Sequence, residues 1–387
     1  MRRKNIVILG GGFAGLSALD RLCALKKACR EPYDMVLVDR KKSSEFLPML
    51  PDLVSGRIPP EVLSVDLASR CGRRGADFLL GNARAVNTEN KEIVVDGSSI
   101  PYDYLVMSTG AESDFFGMDK LGERCLKVYD VDDAMRLKRV LTERASDSSF
   151  NVVIAGGGYT GIEIATNARI LFNKLRKDNR IIILEKAEDI LMMTPEWMRA
   201  SARRELERSG IELRCGETLV DITGEGVLLG SGDTVKSAVC VWSAGVRSAD
   251  ILGQGEVDRE RTRVKVDECL RPSGPSGVEG VFCAGDSAAF PGRRTGAPIR
   301  MAVMFAIAEG RVAAENIVRS IKGTPLLKYK PKDLGYLIPL AGGRAPGIIL
   351  GKKVDGRFGF IMHYFMCLYR SSFRNRLGIL KAWINDI

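Results

Sequence analysis

Three glycines and a carboxylate recur at one spacing in this chain. Gly10-x-Gly12-x-x-Gly15 is followed by Asp39, and Gly156-x-Gly158-x-x-Gly161 is followed by Glu185, each acid lying 24 residues after the third glycine. Such a set can hold a nucleotide pyrophosphate. The first glycine makes a tight turn, the second lets phosphate approach the backbone, the third lets a helix pack closely on a strand, and the acid accepts bonds from a ribose diol. Phosphate charge then rests on the positive end of a helix dipole. One Gly-x-Gly-x-x-Gly is a weak signal, shared with ordinary glycine-rich turns. Two complete copies imply that one chain binds two dinucleotides.

The elements that must position these residues are legible around them. The first copy reads as a strand over 5–9, a helix over 14–25 and a strand over 35–38; the second reads as strand 151–155, a helix, and strand 180–184. Phe46-Leu-Pro-Met-Leu-Pro51 through Gly56 is too proline-rich for a regular element and is expected to cover a ligand. Residues 104–107 form a short apolar strand ending in Ser108-Thr-Gly110. The run 238–244 and the turn Gly245-Val-Arg close the second nucleotide unit. Gly280-Val-Phe-Cys-Ala-Gly-Asp286 then reads as a buried strand delivering an aspartate at its carboxyl end, where open α/β sheets bind ligands. The fold class is therefore α/β, with two Rossmann-like dinucleotide-binding domains. The first, 1–115 and 268–335, is split by insertion of the second, 116–267, and 336–387 is a C-terminal segment.

A hydrophobic fraction of 45% and a charged fraction of 27% are ordinary for a globular protein. The net charge of +10 is confined to the tail, since residues 311–387 hold 14 Lys or Arg against 4 Asp or Glu. Large apolar residues accompany that charge, which favours an anionic membrane surface over nucleic acid as its partner. Phe358 to Tyr369 is apolar but too short to span a bilayer, and no run of about 20 apolar residues occurs elsewhere. On a helix Arg370, Arg374 and Lys381 share one side, and Phe365, Leu380 and Trp383 the other. Arg376 falls within the apolar face, so a break is expected near Ser371-Ser372, or an Arg376 that snorkels. The segment 336–387 is expected to be an amphipathic membrane-association segment. The nine cysteines are scattered singly without Cys-x-x-Cys or zinc spacing, which reads as buried small residues in a reducing compartment. With no signal peptide before the first strand, a peripheral place on the cytoplasmic side of the cell membrane is expected.

The duplicated fingerprint, Ser108-Thr-Gly110, Trp242-Ser-Ala-Gly245 and Gly280 to Asp286 together resemble the two-dinucleotide flavoproteins of the pyridine nucleotide-disulfide oxidoreductase superfamily. Nearly the whole length, including Phe46 to Pro51, Gly158-Tyr-Thr-Gly-Ile-Glu163, His363 and Phe373-Arg-Asn-Arg-Leu377, is similar to type II NADH:quinone oxidoreductases. The resemblance implies FAD at Gly10, Gly12, Phe13, Ala14, Gly15, Asp39, Arg40, Pro48, Thr109, Gly110, Asp286 and Ala302. It implies NADH at Gly156, Gly158, Tyr159, Thr160, Gly161, Glu163, Glu185, Ala244 and Gly245. Glu163 is the expected catalytic residue, orienting the nicotinamide ribose or carboxamide. Glu185 bonds the adenosine ribose of NADH and repels the 2′-phosphate of NADPH, although Lys186 next to it softens that repulsion. No metal is expected.

The activity implied is a non-electrogenic FAD-dependent transfer of two electrons from NADH to a quinone, by a peripheral protein that forms a homodimer and lacks a nucleic-acid partner. Type II enzymes usually carry Ala-Gln-x-Ala-x-Gln on the quinone helix, where this chain has Val303-Met-Phe-Ala-Ile-Ala308. Met304 and Ala308 offer no side-chain amide to a quinone carbonyl. Backbone groups and apolar contact from Met304, Phe305 and Ala308 are left to hold it. Arg300-Met-Ala-Val-Met304 resembles the animal ferroptosis-suppressor branch, which also reduces quinones without those glutamines. A soluble NAD(P)H oxidase, a ferredoxin reductase and an NADH-sensing protein like apoptosis-inducing factors are the alternatives. Disulfide reductase and sulfide:quinone chemistry are disfavoured, because they need cysteines beside the flavin that this chain lacks. His363, the one histidine, reads as a packed or interfacial residue, and Trp242 as core.

Overall fold

The computed structural model describes residues 3–27, 29, 31–248, 251, 257–274, 278–292, 296–370, 376 and 379–380. The chain divides into two compact units. Met1–Ser44, Val65–Glu112 and Arg247–Asp333 form the first; Glu45–Ser64, Ser113–Val246 and Leu334–Ile387 form the second. In chain order the elements that matter begin with β1 (Lys4–Leu9), α1 (Phe13–Lys26), β2 (Tyr33–Asp39), α2 (Leu50–Ser55), β3 (Asp77–Leu80), β4 (Tyr104–Met107) and β5 (Leu126–Lys127). They continue with β6 (Asn151–Ala155), α3 (Tyr159–Lys174), β7 (Arg180–Glu185), β8 (Ile211–Cys215), β9 (Ala238–Trp242), β10 (Val281–Cys283), α4 (Val303–Ile321) and α5 (Gly356–Arg370).

The first unit holds a parallel sheet in the order β10-β4-β1-β2-β3. The second holds a parallel sheet in the order β5-β9-β6-β7-β8. Ile6, Val7, Ile8, Val152, Val153 and Ile154 in the central strands are fully buried, as parallel sheets covered on both faces require. The repetition extends to register. Leu9 lies opposite Val38 and Met107, and Ala155 lies opposite Leu184 and Trp242. The copies differ in their outer strand: β10 returns from far along the chain, whereas β5 immediately precedes its unit's helix and central strand.

Residues 45–64 pack with the second unit and 247–267 with the first, unlike the ranges drawn from sequence. The reason is contact: α2 packs on α3 and on helix Val131–Arg144, and strand Arg263–Lys265 pairs with Ala288–Ala289. The Pro-rich stretch is also more regular than expected. A 3-10 turn, Leu47–Met49, leads into α2, because Pro48 and Pro51 each occupy a first-turn position where no backbone N–H is needed. Trp242 is core, with its ring on Phe115 and its Nε1–H donated to the Asp114 carbonyl. The expected break at Ser371-Ser372, and Arg374, Lys381 and Trp383, lie outside the described residues. Arg376 is exposed.

Candidate functional site

Each glycine loop joins the end of a central strand to the start of a helix. Gly10 and Gly156 have φ of +102° and +114°, values that L side chains rarely adopt. A Cβ on Gly15 would lie 1.8 Å from the Gly10 carbonyl oxygen, and one on Gly161 would lie 1.9 Å from that of Gly156. Gly12 and Gly158, by contrast, have no atom within 4 Å of where a Cβ would project. They cap α1 and α3 without any side-chain hydrogen bond. Open space over a helix N-terminus in both loops fits a pyrophosphate.

The two acids brace these loops. Asp39 accepts the Gly11 and Lys41 backbone N–H at 2.6 and 2.7 Å; Glu185 accepts those of Gly157 and Ala187, both at 2.8 Å. Each carboxylate oxygen keeps a lone pair for a ribose hydroxyl. A pair missed as a repeat completes the copies. Ser108 Oγ donates to the Leu9 carbonyl at 2.9 Å and Ser243 Oγ to the Ala155 carbonyl at 3.0 Å, each also within 3.2 Å of the first glycine's carbonyl. Ser108-Thr-Gly110 and Ser243-Ala-Gly245 carry that signal in the sequence.

The first unit gathers Gly10, Gly12, Phe13, Ala14, Gly15, Asp39, the exposed Arg40, Thr109, Gly110, Asp286 and Ala302. Ser287 ties the strand ends together, its Oγ accepting the Gly110 N–H at 3.0 Å and lying 3.2 Å from Thr109 Oγ1. Burial pushes the Asp286 carboxyl up, and Arg263 pulls it back. Glu309 on α4, unsuspected from sequence, is 2% exposed and accepts the Gly285 N–H at 2.7 Å, bracing the turn that presents Asp286. Burial pushes its carboxyl up to about 8. Ala302 caps α4, on which Met304 and Ala308 are half-buried and Phe305 is buried under the Arg300 guanidinium, 5.4 Å from its ring. Pro48 belongs instead to the second unit.

In the second unit Gly156, Gly158, Gly161 and Glu185 are joined by Tyr159, Thr160, Ala244 and Gly245. Tyr159 packs edge-on against Tyr336 at 5.7 Å, and Thr160 and Ala244 are exposed. Glu163 lies in the second turn of α3, half-buried. Burial first, and then the Asp52 charge, push its carboxyl up to about 8. It is thus mostly a neutral O–H donor at pH 7; desolvation outweighs the pull of the helix N-terminus on its charge. Asp52 on α2 is 3% exposed and accepts the Tyr364 hydroxyl of α5. Arg57 Nη1 lies 3.7 Å from that Asp52 oxygen and donates to the Tyr364 oxygen at 3.2 Å. His363 is half-buried, edge-on to Tyr364 at 5.1 Å and 3.7 Å from Cys367 Sγ. Burial and Arg57 push its imidazole down to about 4, so it is neutral at pH 7.

Tyr364 and Cys367 face inward on α5, while Phe358, Ile361 and Phe365, spaced as i, i+3 and i+7, are 61%, 47% and 59% exposed. They form an apolar outward stripe. Among the described residues no helix is long and apolar enough to cross a membrane, and no group of side chains could hold a metal. The cysteines differ from expectation in two respects. Cys215 is exposed, and Cys125 and Cys240 lie in one core cluster of the second unit, brought near each other by the pairing of β5 with β9.

The sequence pattern of pyridine nucleotide-disulphide oxidoreductases matches residues 4–310. The demethylphylloquinone reductase NdbB of Synechocystis sp. is 26% identical over 395 residues, covering 99% of this chain and 96% of that protein. The type II NADH:quinone oxidoreductase of Staphylococcus saprophyticus is 22% identical over 374 residues, 92% of each chain. The structure of NDH2 from Plasmodium falciparum in complex with NADH superposes with a TM-score of 0.85 at 16% identity, covering 99% of this chain and 98% of that one.

Proposed function

The chain belongs to the pyridine nucleotide-disulphide oxidoreductase family, and from that premise we propose that it oxidises NADH through FAD and passes two electrons to a quinone at a membrane surface, without pumping protons. The observation that carries this reading is the pair of loops open at Gly12 and Gly158, one in each unit. Gly10, Gly12, Gly15, Asp39 and Asp286 would hold FAD, the first four at its adenosine and pyrophosphate and Asp286 at its ribityl chain. Bound there, the flavin would supply hydride acceptance and the release of one or two electrons. Gly156, Gly158, Gly161 and Glu185 would hold NADH, with the Glu185 carboxylate set against a 2′-phosphate. Glu163, kept neutral, holds a proton on its carboxyl and can donate a hydrogen bond to a carboxamide or carbonyl oxygen. The apolar stripe of Phe358, Ile361 and Phe365 supports an α5 that lies in the bilayer interface. The kinship with proteins named as quinone reductases supports a quinone as acceptor, with Met304, Phe305 and Ala308 lining its approach.

The test is anaerobic. The FAD-loaded protein is mixed with NADH or NADPH, a short-chain quinone is added, and flavin absorbance is followed. Rapid bleaching by NADH and recovery with quinone is the expected result. Bleaching without recovery would refute the quinone as acceptor, and equal bleaching by NADPH would refute the role of Glu185.

A further inference from the structure

Phe115 and Phe116 are consecutive and both approach the Trp242 ring, Phe116 at 6.4 Å, but they differ in exposure. Phe115 turns inward, its ring 5.3 Å from that of Trp242. Phe116 has φ +52°, a left-handed backbone uncommon for a bulky residue, and its side chain is left 61% exposed. Neither the conformation nor the exposure favours folding. The loop nevertheless holds it there. Asp114 Oδ1 accepts the Phe116 N–H at 2.9 Å, the Asp114 N–H donates to the Gly245 carbonyl at 3.0 Å, and the Asp114 carbonyl accepts Trp242 Nε1–H at 2.9 Å.

The tip of the ring so held lies against Gly245. A Cβ on Gly245 would come within 2.5 Å of Phe116 Cζ, so any larger residue there would push the ring away. From Gly245 the contacts run back to the glycine loop, where a Cβ on Gly156 would meet the Ala244 Cα at 2.8 Å. Sheet order then sets a direction. In the second sheet β7, which ends in Glu185, and β9, which leads to Gly245, flank β6 on opposite sides. A dinucleotide with its pyrophosphate over Gly158 and its adenosine ribose on Glu185 must run its other half over the end of β9.

We propose that Phe116 is a contact residue for the nicotinamide half of the dinucleotide, its ring forming the apolar wall over Gly245 against which the pyridine ring stacks. This rests on the reading of the second unit as the NADH site. It predicts that Phe116 matters for the nicotinamide and not for adenosine or phosphate.

The experiment uses the full chain with its flavin oxidised and measures, by calorimetry, the dissociation constants of NAD+ and of ADP-ribose, which lacks the nicotinamide. Phe116→Asn removes the ring while tolerating the left-handed backbone, and Phe116→Tyr keeps the ring. Stacking of this kind makes a loss of about tenfold in NAD+ affinity the expected result for Phe116→Asn, with ADP-ribose within about twofold of wild type and Phe116→Tyr restoring NAD+ binding. Equal losses for both ligands would overturn the proposal, showing that the ring supports the loop alone; so would no loss for either. If wild type binds neither ligand, the NADH assignment of the second unit falls with it, a result distinct from the other two.

Discussion

Replacing Asp52 by asparagine tests the link between a buried charge and the proton on Glu163. The gap between the ordinary carboxyl value of 4.5 and about 8 for Glu163 corresponds to about 5 kcal/mol in favour of the neutral form, at about 1.4 kcal/mol per unit. Burial is the larger cause and Asp52 the second, so the variant keeps part of the shift and loses part. A like charge packed nearby in a partly buried site contributes about one unit or more. Asp52→Asn is therefore expected to lower the Glu163 midpoint by about one unit while leaving it above 4.5. The assay is a pH titration of the glutamate carboxyl carbons by NMR, with Glu163→Gln identifying the signal. A midpoint unmoved by Asp52→Asn, or a wild-type midpoint near 4.5, would refute the reasoning. Stability follows the same proton. Between pH 4.5 and about 8 the folded state holds this proton and the unfolded state does not. Stability from Glu163 is therefore full below pH 4.5, falls as pH rises through that window, and is flat above it. Glu163→Gln lacks this loss, so its stability relative to wild type should grow across the window.

Three further outcomes follow from the geometry. Gly158→Ala meets no atom and should fold with a stability change of about 1 kcal/mol or less, yet raise the KM for NADH; Gly161→Ala, with its Cβ 1.9 Å from a carbonyl oxygen, should fail to accumulate as soluble protein. Glu185→Gln removes the charge that opposes a 2′-phosphate, and the ratio of kcat/KM for NADPH to that for NADH should rise about tenfold, read from initial rates. Serine at Phe358, Ile361 and Phe365 together should abolish sedimentation with anionic liposomes while leaving NADH bleaching of the flavin unchanged. Truncation before α5 is a poorer test, because it takes Tyr364 from the buried Asp52 at a cost of about 1–3 kcal/mol.

The two glycine loops, their flanking strands and helices, and the acids Asp39 and Glu185 were all legible in the sequence. Their constraints are local: a left-handed turn, a helix packed too closely for a Cβ, and an apolar run covered on both faces are each written within some thirty residues. The proline content of Phe46 to Pro51 points away from a helix, yet one forms, because in the first turn prolines do not oppose it. The Ser108 and Ser243 repeat is present in the sequence but carries no meaning there, since a serine signals a strand-end clamp only once the sheet aligns it with the neighbouring strand. What the tertiary structure alone decided is the chemistry of the buried groups. Asp52 and Tyr364 are 312 residues apart, Glu309 reaches back to Gly285 across the start of α4, and Phe116 is set beside Gly245 through Asp114, which bonds to Trp242, 128 residues away, and to Gly245. Motif spacing states where a phosphate can rest, because that is a property of local backbone. Whether a carboxyl keeps its proton, or an aromatic ring stands exposed beside a glycine, depends on which distant residues exclude water and which bring charge, and those are chosen only when the chain is folded.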